Sequence, residues 1–440
     1  MGKKRNTEKE LPGKKGKNIR EPFTFLNETF ENVEKSSIRT QFFYLIIIAI
    51  VTKLAVIFLT TNVFHSFVDL FDIGFYLEHG ILIFQGQLPY IDYPFDYPVL
   101  IFIPIALSLI PLLVFQNVMA FVYSFQVLMV LCDIITLGCI YLIALKIGNQ
   151  KTAFLSGLVY ATAFSTSYFV LTKYDAFPTC LLMLGILFTI YGMNMRGYLA
   201  ATLGFFAKIF PAVAFPFMIL YNAKTTSVRQ EIIDVLKITV PCAVILLLPF
   251  ILIRPDVINT YLFATGSSVG VYVNTATYTL YAYLQEIGHL GISQSVISAG
   301  MYLLMGIVFL ILLVVAYKYP EKNPRVLIKI LLCALFSIIF FTKFHSPQYI
   351  VWFTPFLCLL VADDIYTIIL FYITQIFAYI EFPLMFGTFY TNLEYVNPVG
   401  SGGWYMTLLF FTLEYALLLI LMYMVIRPGD LYGKIFRRTE

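Results

Sequence analysis

The chain has 440 residues, of which 60% are hydrophobic and 12% are charged, with a formal net charge of +4. An ordinary soluble domain carries about 25% charged residues, and a soluble fold of this length could not keep so much apolar surface away from water. The composition therefore excludes a soluble protein and predicts an all-α polytopic membrane protein.

The first element is a basic tail at residues 1–41, with ten Lys or Arg and six acids. Cytoplasmic segments of membrane proteins carry an excess of Lys and Arg, so we expect this tail in the cytoplasm, together with the short basic tail 427–440. A nucleic-acid-binding arm is the alternative, but the topology signal explains the charge by itself, and no nucleic-acid partner is expected. The six cysteines all lie in apolar segments and are expected to pack there.

Ten segments with almost no charge approach the roughly 20 apolar residues that cross a bilayer as a helix, although several are shorter. Two further segments, 98–115 and 198–221, contain prolines, and their full crossing would place the basic turns 146–151 and 222–230 outside. We therefore predict that both are re-entrant or half-spanning, with full crossing as the alternative, giving about 10–12 transmembrane helices. The ten segments are 42–61, 117–145, 152–171, 177–193, 236–253, 299–317, 326–342, 349–362, 365–382 and 405–426.

The loop 62–97 follows the first span and is predicted to lie outside and to carry interfacial helices. It holds five acids and no Lys or Arg, which suggests a general base, a metal site or a cation path. The alternative is that the acids only solvate the loop and cap short helices. The five acids are Asp69, Asp72, Glu78, Asp92 and Asp96.

Ionisable residues within apolar surroundings are costly and are functional candidates by default. Lys208 lies beside Pro211 at an expected helix break, where it is suited to a lipid phosphate. Asp133 is expected to pair with a lysine, whereas Lys53 is expected to extend its ammonium to the membrane surface. Lys173 and Asp175 occupy a short outer turn.

A second outer turn carries Lys343, His345 and Gln348, whose side chains are donors suited to a phosphate or a pyranose. No phosphate-binding loop or dinucleotide fingerprint is present in the sequence. A soluble nucleotide-sugar donor on the cytoplasmic side therefore has no support.

Taken in order, these residues resemble the GT-C superfamily of integral-membrane glycosyltransferases. Within it, the chain is similar to the polyprenyl-phosphate-mannose-dependent mannosyltransferases of glycosyltransferase family 87 and to the catalytic subunit of the first glycosylphosphatidylinositol mannosyltransferase. The resemblance covers about residues 42–360. It is carried by Asp69, Asp72 and Tyr76, then Gly86-x-x-Pro89-Tyr90, Tyr97-Pro98, Asp133, Asp175, Lys208-x-x-Pro211 and Ser346-Pro-Gln348-Tyr349-x-x-Trp352.

The resemblance implies a GT-C-like bundle in which the first outer loop carries the catalytic carboxylate. The second of the two similar families has Asp-x-Asp there, but position 70 of this chain is Leu, so the base is either Asp72, which we favour, or Asp69. The departure also weakens the case for a bound divalent metal, and no other cofactor is expected. The remaining candidate substrate-binding residues are Lys208, Lys343, His345, Gln348, Asp175, Tyr76 and Tyr97.

The expected activity is transfer of a sugar, with mannose first, from a polyprenyl-phosphate donor to a lipid-linked or other acceptor hydroxyl at the non-cytoplasmic face. Residues 42–360 would form the catalytic module, 361–426 would add C-terminal helices, and loops 254–298 and 383–404 would shape the acceptor groove. Membrane lipids are expected partners, and a small membrane subunit is left open. The alternatives are a transporter or lipid flippase and a non-catalytic assembly subunit.

Overall fold

The computed structural model describes residues 36–95, 97–257, 270–362 and 364–427. Most of the basic tail 1–41, nearly all of the tail 427–440, Asp96, and part of the loop 254–298 lie outside the described residues. Within the described residues the secondary structure is helical, with isolated β-bridges and no strand.

Sixteen α-helices form the described part of the chain. Short 3₁₀ or π turns extend several of them. The helices are α1 (Ile38–Phe58), α2 (Phe71–Phe84), α3 (Phe102–Phe115), α4 (Val118–Ile147), α5 (Gln150–Ala161), α6 (Phe164–Thr172), α7 (Ala176–Ile190), α8 (Asn194–Ala207), α9 (Ala214–Asn222), α10 (Val228–Ile253), α11 (Ala276–Tyr281), α12 (Gln294–Lys318), α13 (Pro324–Phe341), α14 (Ile350–Val361), α15 (Ile365–Tyr379) and α16 (Gly402–Ile426).

Side-chain caps fix where many of the long helices begin. The first four amides of a helix have no partner within it, and a Ser, Asn or Asp side chain can accept from one of them. Ser37 accepts from the third residue after it at the start of α1, and Ser227, Ser293 and Ser401 do the same for α10, α12 and α16. Asn117, Asn149, Asn323 and Asp364 cap α4, α5, α13 and α15.

Seven helices of the described chain are long and apolar enough to cross a membrane. An eighth span is formed by α5 and α6 together, which are bent by 58° at a short break. Four shorter apolar helices accompany them: Val99–Phe115, Ala176–Ile190, Phe210–Asn222 and Pro347–Val361. These eight spans and four short helices coincide with the twelve apolar segments seen in the sequence, and they confirm a multi-pass helical membrane protein.

The spans alternate in direction between two ends of the bundle. We call the end with loop 62–97 the loop end and the opposite end the basic end. α1 begins at the basic end, where Gln150 Nε2 donates to the carbonyl of Ser36 at 2.9 Å. It finishes at the loop end, where the hydroxyls of Thr60 and Tyr379 are hydrogen-bonded. Residues at the basic end include Lys146, Lys151, Arg196, Lys224, Lys318 and Lys322.

Segment 198–221 turns back within the bundle, as predicted. α8 stops at Ala207, Lys208 has an extended backbone (φ −159°, ψ 148°), and α9 runs in the return direction. The two arms meet again at the basic end, where Asn222 Nδ2 donates to the hydroxyl of Tyr198 at 3.0 Å. Lys208 therefore lies at the tip of a helical hairpin.

Segment 98–115 also does not run the length of the bundle but stays at the loop end. Tyr97, just before α3, contacts Tyr174, and Phe125, in the first third of α4, contacts Tyr76. Gln116 joins the two helices in a left-handed conformation with φ of 50°. After α3 and about eight residues of α4 the chain is again level with loop 62–97, which fits the predicted half-spanning role.

The prediction for Asp133 is confirmed, whereas that for Lys53 is wrong. Lys53 Nζ lies 2.6 Å from Asp133 Oδ2, and both side chains are almost fully buried. The hydroxyl of Tyr160 donates to the other carboxylate oxygen at 2.6 Å. Lys53 does not extend to the surface because a carboxylate within the bundle neutralises it, and a paired charge costs less to bury than a lone one.

Candidate active site

Two acids of the first loop converge on one lysine. Lys173 Nζ lies 2.7 Å from Asp69 Oδ2 and 3.1 Å from Asp72 Oδ2. Lys173 follows α6, whereas Asp69 precedes α2 and Asp72 lies in its first turn. We call these three residues the Lys173 cluster. Its side chains are 8–16% exposed, so the cluster is enclosed but not sealed.

The two acids are held in different ways. Asp69 uses both oxygens, because Oδ1 accepts from the amide of Phe71 at 3.0 Å and Oδ2 accepts from Lys173. Asp72 binds Lys173 through Oδ2, and the hydroxyl of Tyr76 lies 3.5 Å from the same atom. Within the described residues Asp72 Oδ1 has no hydrogen-bond partner, so Asp72 retains an oxygen that can take a proton.

A second ion pair lies at the tip of the α8–α9 hairpin. Lys208 Nζ is 2.7 Å from Asp175 Oδ1, and the indole of Trp352 donates to the same oxygen at 2.5 Å. Asp175 is fully buried at the start of α7, while the side chain of Lys208 is 14% exposed. We call Asp175, Lys208 and Trp352 the Lys208 cluster.

Tyrosine rings join the two clusters. The ring of Tyr174 lies 5.6 Å from that of Tyr76 and 5.2 Å from that of Tyr97. Lys208 Nζ lies 4.6 Å from the centre of the Tyr174 ring, a distance at which a cation is attracted to an aromatic face. Tyr349 stacks on Trp352 at 3.8 Å, which extends the aromatic wall. The predicted residues Tyr76 and Tyr97 thus belong to the same site as the carboxylates.

Three buried polar atoms in this region have no hydrogen-bond partner among the residues that the structure describes: Asp175 Oδ2, the hydroxyl of Tyr174 and His345 Nδ1. The ring of His345 lies 5.7 Å from that of Tyr349, so it adjoins the Lys208 cluster. Most buried polar groups in folded proteins are paired, and leaving one unpaired costs about 1–3 kcal/mol. Three such atoms in one region are what a polar ligand or ordered water would satisfy.

The electrostatics favour Asp72 as a proton acceptor. Burial raises the pKa of Asp72 above its ordinary value, the charge of Lys173 opposes that rise, and Asp69 and Asp175 add to it. A base works best when its pKa is close to the working pH. Burial also lowers the pKa of His345 to about 4, so at neutral pH this ring is uncharged and offers a neutral donor or acceptor.

The remaining candidates lie on the turn after α13 or at the edge of loop 62–97. Gln348 is buried in the turn Pro347–Tyr349, next to the Lys208 cluster. The carbonyl of Lys343 accepts from the amide of Tyr272 at 2.8 Å, but its ammonium makes no ion pair with the part of the chain that the structure describes. Glu78 and Asp92 are exposed and outside both clusters.

The Lys173 cluster does not have the form of a divalent-metal site. The ammonium of Lys173 lies between the two carboxylates, where a metal would otherwise bridge them. Across residues 36–427, apart from the gaps, no three His, Cys, Asp or Glu side chains converge.

Sequence reasoning did not select Lys173 as a site residue. The signal was present, because Lys173 and Asp175 flank Tyr174 on one turn and the facing loop 62–97 has acids but no Lys or Arg. It also missed a buried cluster at Glu381, where Asn274 Nδ2 donates to the carboxylate at 2.9 Å. Isolated glutamates in the apolar segments 365–382 and 405–426 were the available signal for it.

A scan against protein-family models and a search of curated proteins find no match. Among solved structures, the chain is similar to the crystal structure of ArnT from Cupriavidus metallidurans bound to undecaprenyl phosphate. The identity is 12% and the TM-score is 0.48, over 88% of this chain and 77% of that one. A likeness at this level carries no inference about function.

Proposed function

We propose that this chain is a GT-C-like membrane glycosyltransferase that moves a sugar from a polyprenyl-phosphate donor to an acceptor hydroxyl. The observation that carries the proposal is that Asp72, which keeps an oxygen without a partner among the described residues, and the ammonium of Lys208 belong to two adjoining clusters joined by Tyr174 at one end of the bundle. A sugar-phosphate donor needs a cation for its phosphate, and its acceptor needs a base.

In this proposal Asp72 takes the proton from the acceptor hydroxyl as the hydroxyl oxygen attacks C1 of the donor sugar. The bond between C1 and the phosphate oxygen breaks, polyprenyl phosphate leaves with the bonding electrons, and the configuration at C1 inverts. Lys173 keeps Asp69 and Asp72 in place. Asp69 remains the second candidate for the base, although one of its oxygens already accepts a hydrogen bond from the amide of Phe71 at the start of α2.

Lys208 is assigned to the leaving phosphate. Its ammonium already faces aromatic rings and one carboxylate, so an arriving phosphate would share it with Asp175. The unpaired Asp175 Oδ2 is then suited to accept from a sugar hydroxyl. His345, Gln348 and Lys343 are assigned to the same substrate from the neighbouring turn. Mannose is the first sugar to test, because the resemblance in the sequence points to it.

We place the site at the non-cytoplasmic face. The described chain starts and stops at the basic end, where Lys329 Nζ also donates to the carbonyl of Ile426. The turns at this end carry most of the lysines and arginines, as cytoplasmic loops do. The two carboxylates of the Lys173 cluster lie at the opposite end of the spans.

The test is transfer by membranes that contain the protein and are supplied with radiolabelled polyprenyl-phosphate mannose or glucose. Asp72→Asn should reduce transfer by roughly 10³-fold, within the usual range for losing a general base. Asp92→Asn, an exposed acid of the same loop, is the matched control and should retain activity. Full transfer by Asp72→Asn, at equal protein level, would remove Asp72 as the base. Uptake of donor into sealed vesicles without a covalent product would instead support a transporter.

A further inference from the structure

Two glutamates are buried near each other, outside both clusters of the candidate active site. Glu381 lies two residues after the end of α15 and is 2% exposed, and Glu414 lies midway along α16 and is 8% exposed. The charge of one acts on the other. Among the described residues neither carboxylate forms an ion pair with a Lys, Arg or His side chain. Buried charges in proteins are paired or bind metal ions, so these two need a neutralising partner.

Asn274 links the segments that carry the two glutamates. Its Nδ2 donates to Glu381 Oε1 at 2.9 Å. Its backbone carbonyl accepts from the hydroxyl of Tyr415, the residue that follows Glu414, at 2.7 Å. We call Asn274, Glu381 and Glu414 the Glu381 cluster.

Aromatic contacts place Glu414 on the same side of α16 as the rest of the cluster. The hydroxyl of Tyr390 lies 3.5 Å from Glu381 Oε1, and the ring of Tyr390 lies 5.2 Å from that of Phe411. Phe411 precedes Glu414 by three residues, and residues at this spacing share one face of a helix. The face of α16 that carries Glu414 is therefore the face that contacts Glu381 through Tyr390.

Two side chains of the cluster have acceptor oxygens without a donor. Asn274 is 1% exposed, and its Oδ1 has no hydrogen-bond partner in the part of the chain that the structure describes. This oxygen shares a carbon with the Nδ2 that binds Glu381, so it lies beside the carboxylate. Glu414 also accepts no hydrogen bond from a described residue.

Protons alone would not satisfy these groups. A protonated Glu414 would be neutral, but its hydroxyl would need an acceptor, and no described acceptor is within hydrogen-bond distance. A metal ion reaches farther. Calcium binds oxygens at about 2.3–2.6 Å, so oxygens on opposite sides of one ion are up to about 5 Å apart. Oxygens too far apart to share a proton can therefore share an ion.

We propose that the Glu381 cluster binds one Ca²⁺ ion between the carboxylates of Glu381 and Glu414 and the side-chain oxygen of Asn274. Two carboxylates balance the charge of a divalent ion. Calcium accepts amide oxygens, backbone carbonyls and waters as its further ligands in a flexible geometry, so a third acidic side chain is not required. Magnesium fits less well, because it demands near-octahedral geometry and keeps several of its waters.

The bound ion would join three segments that are distant in sequence. They are the segment before α11, the end of α15 and the middle of α16. Asn274 Nδ2 also donates to the carbonyl of His345 at 3.3 Å, so the ion would support the turn after α13 as well. A ligand that binds only the folded state stabilises it, and calcium should therefore raise the unfolding temperature. The site does not depend on the proposed glycosyl transfer.

The experiment is a calcium titration of the full chain in detergent micelles, followed by isothermal calorimetry and by thermal unfolding. The wild type should bind one Ca²⁺ per chain and unfold at a higher temperature in its presence. Glu381→Gln and Glu414→Gln each remove one charged ligand without changing the size of the side chain. Each should weaken binding about a hundredfold, because the number of charged ligands sets the affinity of calcium sites.

Two other variants test whether the ion binds at this cluster. Glu394→Gln changes an exposed acid in the loop 383–404 and should bind calcium as the wild type does. Asp72→Asn should also retain binding, because Asp72 belongs to the Lys173 cluster. Terbium(III) is an optical substitute for calcium that is excited through nearby tyrosines. Its emission should appear in the wild type, where Tyr390 and Tyr415 adjoin the cluster, and should be displaced by calcium.

Three results would overturn the proposal. The first is no calcium binding and no terbium emission in the wild type, a measurement that does not depend on any variant folding. The second is wild-type affinity in the double variant with Glu381→Gln and Glu414→Gln. The third is binding that Asp72→Asn abolishes while both glutamine variants retain it.

Discussion

Two of the regions in which a lysine is paired with aspartate, the Lys53–Asp133 pair and the Lys173 cluster, differ in how completely their polar atoms are used. In the Lys53–Asp133 pair both carboxylate oxygens accept hydrogen bonds, one from Lys53 and one from Tyr160, and the side chains are 6% and 3% exposed. In the Lys173 cluster Asp72 keeps an oxygen without a partner among the described residues, and its side chain is 16% exposed.

The difference separates a pair that holds helices together from a site suited to a ligand. A fully satisfied pair gains nothing from an additional partner, so Lys53 and Asp133 are assigned to packing between α1 and α4. An incompletely satisfied pair with access from outside can exchange partners. Asp175 Oδ2 and Tyr174 Oη, which have no partner in the described part of the chain, strengthen this contrast, because they adjoin the second region and not the first.

The largest effect is expected in the satisfied pair. Lys53→Met leaves Asp133 buried without its cation, and breaking one side of a buried pair typically costs about 3–5 kcal/mol of stability. The measurement is unfolding of the purified protein in mixed micelles. Adding Asp133→Leu should recover most of the loss, because the second change removes the unpaired carboxylate. Wild-type stability in Lys53→Met would show that the pair does not hold α1 and α4 together.

An intermediate effect is expected at the Lys208 cluster. Lys208→Met should raise the KM for the polyprenyl-phosphate donor by about tenfold to a hundredfold, because a hydrogen bond to a charged group contributes about 1.5–3 kcal/mol. Initial rates at varied donor concentration measure it, with folded protein quantified by size-exclusion chromatography. Lys343→Met is the matched variant. A larger rise in KM for Lys343→Met than for Lys208→Met would assign the donor phosphate to Lys343, on the turn after α13.

The smallest effect is a shift of the pH profile. The base must be ionised, so kcat/KM should rise with pH through the pKa of Asp72, which burial has raised. Lys173 lowers that pKa, and Lys173→Gln removes the opposing charge, so the acidic limb should move to higher pH. Rates at the alkaline plateau should change less than rates at low pH. If the acidic limb of the kcat/KM profile does not move in Lys173→Gln, Lys173 does not set the ionisation of Asp72.

The sequence predicts the helical architecture well because the membrane imposes a simple rule. A long apolar segment must be a helix in lipid, where backbone groups have no water to bind, so all twelve apolar segments are found as helices. The helix break at Lys208 follows from a similar local cause, since Pro211 cannot donate to a continuing helix. In the structure a 3₁₀ turn at Phe210–Val213 takes its place.

Pairings between distant residues could not be predicted as well. Lys173 and Asp69 are 104 residues apart, and the sequence shows their types but not that α2 approaches the turn after α6. For Lys53 the error was one of geometry. Its position in α1 suggested a route to the surface, but the side chain faces α4, where Asp133 had been expected to need a lysine. The sequence identified most residues of the site, whereas only the structure shows which lysine is paired with which aspartate.

The separation of Lys53 from Asp133 has a consequence for how the protein is made. Asp133 is synthesised 80 residues after Lys53, roughly 4–16 s later at a translation rate of about 5–20 residues per second. If the first span enters the membrane before Asp133 is made, its lysine is uncompensated, which costs about 2.5–3.5 kcal/mol near the centre of a helix. Its thirteen Ile, Leu, Phe and Val residues, at about 0.3–0.6 kcal/mol each, outweigh that cost. The long aliphatic composition of α1 thus serves insertion during synthesis, before the arrival of α4 gives the lysine its counter-ion.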